Sequence, residues 1–389
     1  MSLEFRSSAA TDIHARLAAE ITAAIRHAGG WIPFSRFMEM ALYAPGLGYY
    51  SAGARKIGRD PSDGSDFVTA PELTPLFGRA LARPVADVLA AGGDTIVELG
   101  GGTGRLAVDL LCELEALGGL PARYLILEVS ADLRERQRTL LHREMPHLAD
   151  RVAWIDTLPS RIHGVVVGNE VLDALPVELV VFDGDRWLSR GVARDAGRFV
   201  YADRPLSSDL ETLIFETPMS RAALAPGYTT ELHPAASALV ETLVERLSDA
   251  SALLLIDYGF PASEYYHAQR SSGTLMAHRA HHAHADLLAD VGAQDITAHV
   301  DFSAVARAAR GAGGIVVGYT NQATFLIGCG IATLLRGGAS QTGAWAPQAA
   351  ALQTLLSEAE MGELFKAIAV AKRPWVLDAF AANDRRGAL

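Results

Sequence analysis

The stretch that decides the fold is Thr95-Ile96-Val97-Glu98-Leu99-Gly100-Gly101-Gly102-Thr103-Gly104-Arg105. Five residues of strand character run into alternating glycines, and a helical pattern follows from Arg105 to Leu117. Glycine suits such a turn because it tolerates positive φ and lets a ligand approach the backbone. The helix behind it then offers its unpaired N–H groups to whatever binds there. Further on, Tyr124-Leu125-Ile126-Leu127-Glu128 is a second strand, and Ser130 caps a helix reaching Glu144. Val152–Asp156 and Val165–Asn169 supply two more strands. Continuously apolar strands separated by helices predict a parallel sheet covered on both faces, with right-handed crossovers.

Outward from this core the pattern changes. Upstream, residues 12–28 predict an amphipathic helix capped by Asp12 and stopped at Gly29-Gly30, and a second helix begins at Ser35. Tyr43 to Glu72 has no periodicity, but it contains Tyr49-Tyr50 and Phe67, the mark of an ordered functional loop. A helix from Thr74 to Ala91 then leads into the core. Downstream, Val177 to Pro205 holds three strand-like runs joined by Asp183-Gly184 and Asp195-Ala196-Gly197, a β-meander. Residues 207–216 and 235–249 read as helices, and Ala252–Asp257 restores a buried strand, the fifth of the main sheet. The expected division is 1–92 for the N-terminal helical segment and loop, 93–179 for the first part of the core, 180–250 for an inserted α+β subdomain, and 251–389 for the rest.

Composition limits the function. Half of the 389 residues are hydrophobic and 20% charged, the balance of a globular protein. A formal net charge of -11 argues against coating nucleic acid and favours a cationic ligand or a basic protein segment. The two cysteines, Cys112 and Cys329, form no metal or disulfide pattern and suit a reducing compartment. The N-terminus lacks a secretory pattern, and no run approaches the roughly eighteen apolar residues of a membrane span. A cytoplasmic protein without membrane or nucleic-acid partners is expected.

The glycine spacing narrows the ligand. Dinucleotide enzymes carry GxGxxG, whereas Gly100, Gly102 and Gly104 form GxGxG preceded by the acid Glu98. That form resembles motif I of class I methyltransferases, where the acid organises the ammonium end of S-adenosyl-L-methionine. Glu128 ends strand two, where a carboxylate can accept both ribose hydroxyls, with Val129 beside it. Asp156, after strand three, stands where such enzymes place residues near the adenine. Ligands in open α/β sheets bind beyond the carboxyl ends of the strands, so Asn169 and Glu170 should face the cleft, with Asp173 close behind. If the acceptor were arginine, its planar, protonated guanidinium could be oriented by these carboxylates. Each carboxylate could equally cap a helix or brace a loop.

Beyond single motifs, the chain resembles the MidA-like family, formerly a domain of unknown function, which includes a mitochondrial complex I assembly factor acting as a protein arginine methyltransferase. The resemblance runs from about Gly30 to Lys372. Its markers are Tyr43-Ala44-Pro45 with Gly48-Tyr49-Tyr50, Asp66 to Glu72, Asn169-Glu170 with Asp173 to Pro176, Asp257-Tyr258-Gly259, Gln294 to Phe302, and Met361 to Lys366. It implies a Rossmann-like class I methyltransferase core with a mostly parallel seven-stranded sheet. It also implies S-adenosyl-L-methionine as cofactor and a loop holding Thr69, Pro71 and Glu72 over it. Catalysis would fall to Glu170, Asp173 and Asn169, with Asp66, Phe67, Tyr258 and His299 shaping the acceptor site. Arginine in a protein is the implied acceptor.

Two other functions stay open: a nicotinamide-dependent oxidoreductase, and a non-catalytic assembly factor that keeps a cofactor site. The histidines at 278, 281, 282 and 284 lack the spacing of a metal site and read as a polar loop across the cleft. The meander edges could pair with a partner or with a second copy in a homodimer.

Overall fold

A computed structural model describes residues 3–52, 58, 65–66, 68–219, 224–338 and 345–389. Its main sheet has seven strands along one path: β1 Thr95–Leu99, β2 Arg123–Leu127, β3 Val152–Ile155, β4 Gly164–Asn169, β5 Ala252–Phe260, β6 Ile315–Asn321 and β7 Phe365–Ala371. Their spatial order is β6-β7-β5-β4-β1-β2-β3. All neighbours are parallel except β7, which runs against both β5 and β6. The two-residue strand Val300–Asp301 adds to the end of β5.

The sheet is buried on both sides because its residues alternate between two apolar layers. Ile96, Val165, Val167 and Leu254 pack with the helices Pro75–Ala90 and Arg105–Ala116. Val97, Val166, Leu253 and Leu255 pack with Pro234–Arg246 and Phe302–Gly311 on the opposite face. Local capping agrees with the sequence. The Thr74 hydroxyl accepts the Leu76 N–H at 3.3 Å, and the Ser130 hydroxyl accepts the Leu133 N–H at 3.4 Å. The α/β core is thus the one expected, including Ala252–Phe260 as its fifth strand.

A second layer closes over the carboxyl ends of the strands. The meander forms as read, with strands Glu178–Phe182, Trp187–Asp195 and Arg198–Pro205. It does not stand alone, since Trp31–Pro33 and Thr229–Leu232 complete a five-stranded sheet with it. The helices Leu3–His27 and Phe34–Tyr43 pack on this sheet and on a small one made of Met276–Arg279, His282–His284 and Asp295–Thr297. One apolar cluster, including Phe34, Phe37, Val192, Ala277 and Ile296, joins all of these pieces. The first helix begins at Leu3, well before Asp12, which lies within it and caps nothing. It ends at Gly29 and Gly30, both at positive φ, where the sequence placed the stop.

Candidate active site

A cleft of about 490 Å³ lies between the two layers. One end is built by the turns after β1 and β2. Gly100 and Gly102 hold φ values of 64° and 52°, a region where a side chain would strain the turn. At Gly101 a Cβ would come within 2.8 Å of Ile126 Cγ2 and 2.9 Å of Gln137 Nε2. The turn is therefore packed against the second strand and the helix after it.

Two buried carboxylates flank the turn. Glu98 accepts the Tyr124 hydroxyl at 2.9 Å, yet burial pushes its pKa from 4.5 up to about 8. Glu128 Oε1 accepts the Ser130 N–H at 2.9 Å and Oε2 the Gln137 amide at 3.1 Å. Burial raises its pKa as well. Among the described residues neither carboxylate has an ion-pair partner. Val129 is 70% exposed at the rim.

The other end is assembled beyond β4 and β5. Glu170 adopts φ 52°, unusual for a residue with a side chain, and its N–H is fixed to the Ile256 carbonyl at 2.9 Å. Its Oε1 accepts the Asn169 amide at 2.9 Å and the Ala70 N–H at 3.4 Å. Burial, followed by repulsion from Asp173, lifts its pKa from 4.5 to about 8. Asp173 Oδ2 accepts the Tyr258 hydroxyl, while its Oδ1 and the Asn169 Oδ1 are buried without a partner among the described residues. Beneath them Asp257 Oδ2 accepts the N–H groups of Val171, Leu172 and Asp173 at 3.1, 2.9 and 3.3 Å. That single carboxylate shapes the 170–173 loop.

Walls come from distant parts of the chain. Tyr43 and Tyr50 stack with ring centroids 5.6 Å apart, and both line the cleft. Tyr258 meets His299 and Phe365 edge-on, each at 5.3 Å. The hairpin of Met276–Arg279 and His282–His284 brings Met276, His278 and Ala283 to the cleft, so that of the four histidines read as a polar loop across it only His278 lines it. Among the described residues no group of His, Cys, Asp and Glu is arranged to hold a metal. No described helix is long and apolar enough to cross a membrane.

Among the described residues the charge lining the cleft is one-sided. Glu72, Glu98, Glu128, Glu170, Asp173 and Asp295 all line it. Arg105, a basic residue on its wall, is paired with Asp109 at 2.7 Å and Glu144 at 2.8 Å. Among the described residues Glu98, Glu128, Glu170, Asp173 and Asp295 have no ion pair, and buried carboxylates of this kind, beside two unpartnered acceptor oxygens, are suited to a cationic ligand.

A family model described as "Putative S-adenosyl-L-methionine-dependent methyltransferase" matches residues 80–320. The chain belongs to this family. A COG1565 superfamily member from Burkholderia thailandensis, crystallised with S-adenosyl-homocysteine, is 51% identical, with a TM-score of 0.92 and 98% of each chain covered. The mitochondrial "Protein arginine methyltransferase NDUFAF7" of Homo sapiens is 27% identical over 79% of this chain and 72% of its own length. The Drosophila melanogaster homolog is 29% identical over 82% and 76%. The chain is thus an S-adenosyl-L-methionine-dependent methyltransferase, which sets aside the nicotinamide alternative. The chemistry of the cleft fits this cofactor, whose sulfonium and ammonium groups are both positive.

Most of the residues singled out in the sequence converge on the cleft: Thr69, Pro71, Glu72, Glu98, Gly100, Gly102, Glu128, Val129, Asn169, Glu170, Asp173, Tyr258 and His299. Three do not line it. Gly104 turns away at φ 89° and packs on Gln137. The Asp156 side chain is 84% exposed and paired with Arg134 at 2.7 Å. Asp66 lies behind the wall, accepting the Tyr49 hydroxyl and the Ala280 N–H, both at 2.8 Å, and so ties its loop to the hairpin. Phe67 is outside the described residues. Tyr43, Tyr50, Asp257 and Asp295 are cleft or supporting residues to which the sequence reading gave no role, although all four fall in segments that carried the family resemblance.

Proposed function

We propose that this enzyme methylates a nitrogen of a protein substrate, an arginine guanidinium presented by a basic segment. The observation that carries this reading is the run of buried carboxylates at the β4–β5 end, with the unpartnered Oδ1 atoms of Asn169 and Asp173 beside them. A planar cation with several N–H donors satisfies such a set, whereas a neutral acceptor leaves the anions uncompensated. The names of the animal relatives, protein arginine methyltransferases, support the same acceptor.

When bound, the donor supplies an electrophilic methyl group on a sulfonium. In this proposal Glu98 faces the donor's ammonium and Glu128 its ribose hydroxyls, with the Gly100–Gly102 backbone and Asn169 beneath. Thr69, Pro71 and Glu72 cover it, and the Thr103 hydroxyl, which donates to Glu72, holds that cover to the glycine turn. Glu170 and Asp173 orient the guanidinium, with Tyr258 fixing Asp173. Methylation displaces one proton from the attacking nitrogen. Glu170, raised to about 8 by burial and by Asp173, is the base suited to receive it near neutral pH. His299, pushed down to about 4 chiefly by burial, is neutral there and serves as a wall. Both cysteines are free, which suits a reducing compartment such as the cytoplasm.

The test is incubation of the purified enzyme with labelled S-adenosyl-L-methionine and an extract from cells lacking it. Hydrolysis of labelled bands should release methylarginine. Label in another residue would overturn the acceptor, and no label in any protein would overturn the protein substrate.

A further inference from the structure

We propose that Asp295, held by Tyr50, is the specificity-determining residue of the acceptor pocket and takes the edge of the guanidinium opposite to Glu170 and Asp173. This rests on the arginine reading above. Asp295 does not belong to the main sheet. It opens the strand Asp295–Thr297, which pairs with the hairpin strand opposite His278. Only 3% of its surface is exposed, yet it lines the cleft. Both of its carboxylate oxygens lie within reach of the Tyr50 hydroxyl, at 3.0 and 2.9 Å. One hydroxyl has one hydrogen, while a carboxylate offers about four acceptor positions. Among the described residues Asp295 has no basic partner.

The surroundings select the shape of the cation that Asp295 would take. Tyr50 stacks on Tyr43, whose hydroxyl is anchored to the Ala174 carbonyl at 2.9 Å. That link fixes a flat aromatic wall between the loop after β4 and Asp295. Asp173 and Asp295 line the same cleft, and Asp173 is the largest charge acting on Asp295, after burial. Together they raise the Asp295 pKa to about 7. Two carboxylates from separate elements lining one cleft, beside flat rings, match a planar group with donors on two edges. A lysine ammonium is a compact point charge and cannot span them.

The experiment uses the full-length enzyme loaded with S-adenosyl-homocysteine and two probes, Nα-acetyl-arginine methylamide and its lysine counterpart. Affinities are measured by calorimetry for the wild type, Asp295→Asn and Tyr50→Phe, together with KM and kcat on an arginine peptide. We expect the wild type to prefer the arginine probe. Asp295→Asn should weaken that probe and raise the peptide KM about tenfold or more, as for one lost charge-assisted bond. S-adenosyl-homocysteine affinity should stay within about threefold, and Tyr50→Phe should show a smaller change in the same direction. An unchanged arginine affinity in Asp295→Asn overturns the inference. Equal loss of S-adenosyl-homocysteine binding does so too, because Asp295 would then serve the cofactor or the fold. If the arginine probe binds through Asp295 but no arginine is methylated, the pocket stands and the acceptor reading falls.

Discussion

The two ends of the cleft are built in different ways. The carboxylates and glycine turn of the end assigned here to the donor come from two neighbouring strands and the turns that follow them, within residues 98–137, with Thr69, Pro71 and Glu72 as a cover and Asn169 at its border with the other end. The end assigned to the acceptor draws on Tyr43 and Tyr50, the 169–174 loop, Tyr258 and the strand Asp295–Thr297. The first is local, and one helix start fixes its geometry. The second depends on a loop held by Asp257 and on a cap whose pieces come from both sides of the core. A shared cofactor can be served by a local turn, whereas acceptor choice is made where distant segments meet.

If the ends act separately, their carboxylates should fail differently. Glu170→Gln should lower turnover about 10²- to 10³-fold, the range for losing a positioned general base or a charge-stabilising group. Its S-adenosyl-homocysteine affinity should stay within about threefold, because that group is assigned to the other end. Unchanged turnover with a saturating substrate would remove Glu170 from the chemistry. Glu128→Ala should do the reverse and weaken S-adenosyl-homocysteine about 100-fold, as for two charge-assisted bonds of roughly 1.5 kcal/mol each. Calorimetry decides this case. Binding that survives would return Glu128 to a helix-capping role, since it also accepts the Ser130 N–H.

Asp257→Asn tests the support rather than the contacts. The variant keeps the shape but has one acceptor oxygen, which can serve either the three N–H groups that Oδ2 now receives or the Tyr258 N–H that Oδ1 receives at 2.9 Å. A loss of about 1–3 kcal/mol in chemical denaturation is expected, the cost of leaving a buried donor unsatisfied. The acceptor KM should rise more than the S-adenosyl-homocysteine Kd. Equal effects on both would mean that the loop serves the cleft as a whole.

Both ends share one property, visible as a pH effect. Glu98 and Glu170 are raised from 4.5 to about 8 in the folded protein, in each case chiefly by burial. The native state therefore holds more protons than the unfolded chain between these values, and stability falls as pH rises through that window. The ligand-free Tm should drop by several degrees from pH 6 to 9. S-adenosyl-L-methionine, which brings a sulfonium charge, should recover more of that loss than S-adenosyl-homocysteine does. A flat Tm profile over the window would show that the carboxylates are already ionised and compensated.

The same contrast explains what could be read from the chain. Strand, turn and helix at 95–117 announce themselves because the hydrophobic run, the glycines and the helix pattern are contiguous. Glu98 and Glu128 inherit their places from the strands they end. Trp31–Pro33 went unread as a strand, since three residues carry no period and its partner is Gly191–Ala193. Asp295 and Asp257 looked like ordinary loop or strand-end acids. Their meaning comes from what the fold brings opposite them, Tyr50 in one case and the 171–173 backbone in the other. The start of the first helix was misplaced because Asp12 resembles a cap, and an intrahelical aspartate looks no different in sequence.

Asp156 gives the smallest expected effect and a sharp check on where the donor end stops. By its place after β3 it belongs with the residues beside the adenine, but the fold turns its side chain outward to Arg134. An exposed ion pair of this kind contributes little. Arg134 also keeps a separate bond to the Glu128 carbonyl at 2.6 Å, which does not need Asp156. Asp156→Ala should therefore leave S-adenosyl-homocysteine affinity within about twofold and turnover unchanged. A tenfold loss of affinity would mean that the β3 loop swings inward when the cofactor binds. The donor end would then extend across three strands rather than two, and its locality would no longer separate it from the acceptor end.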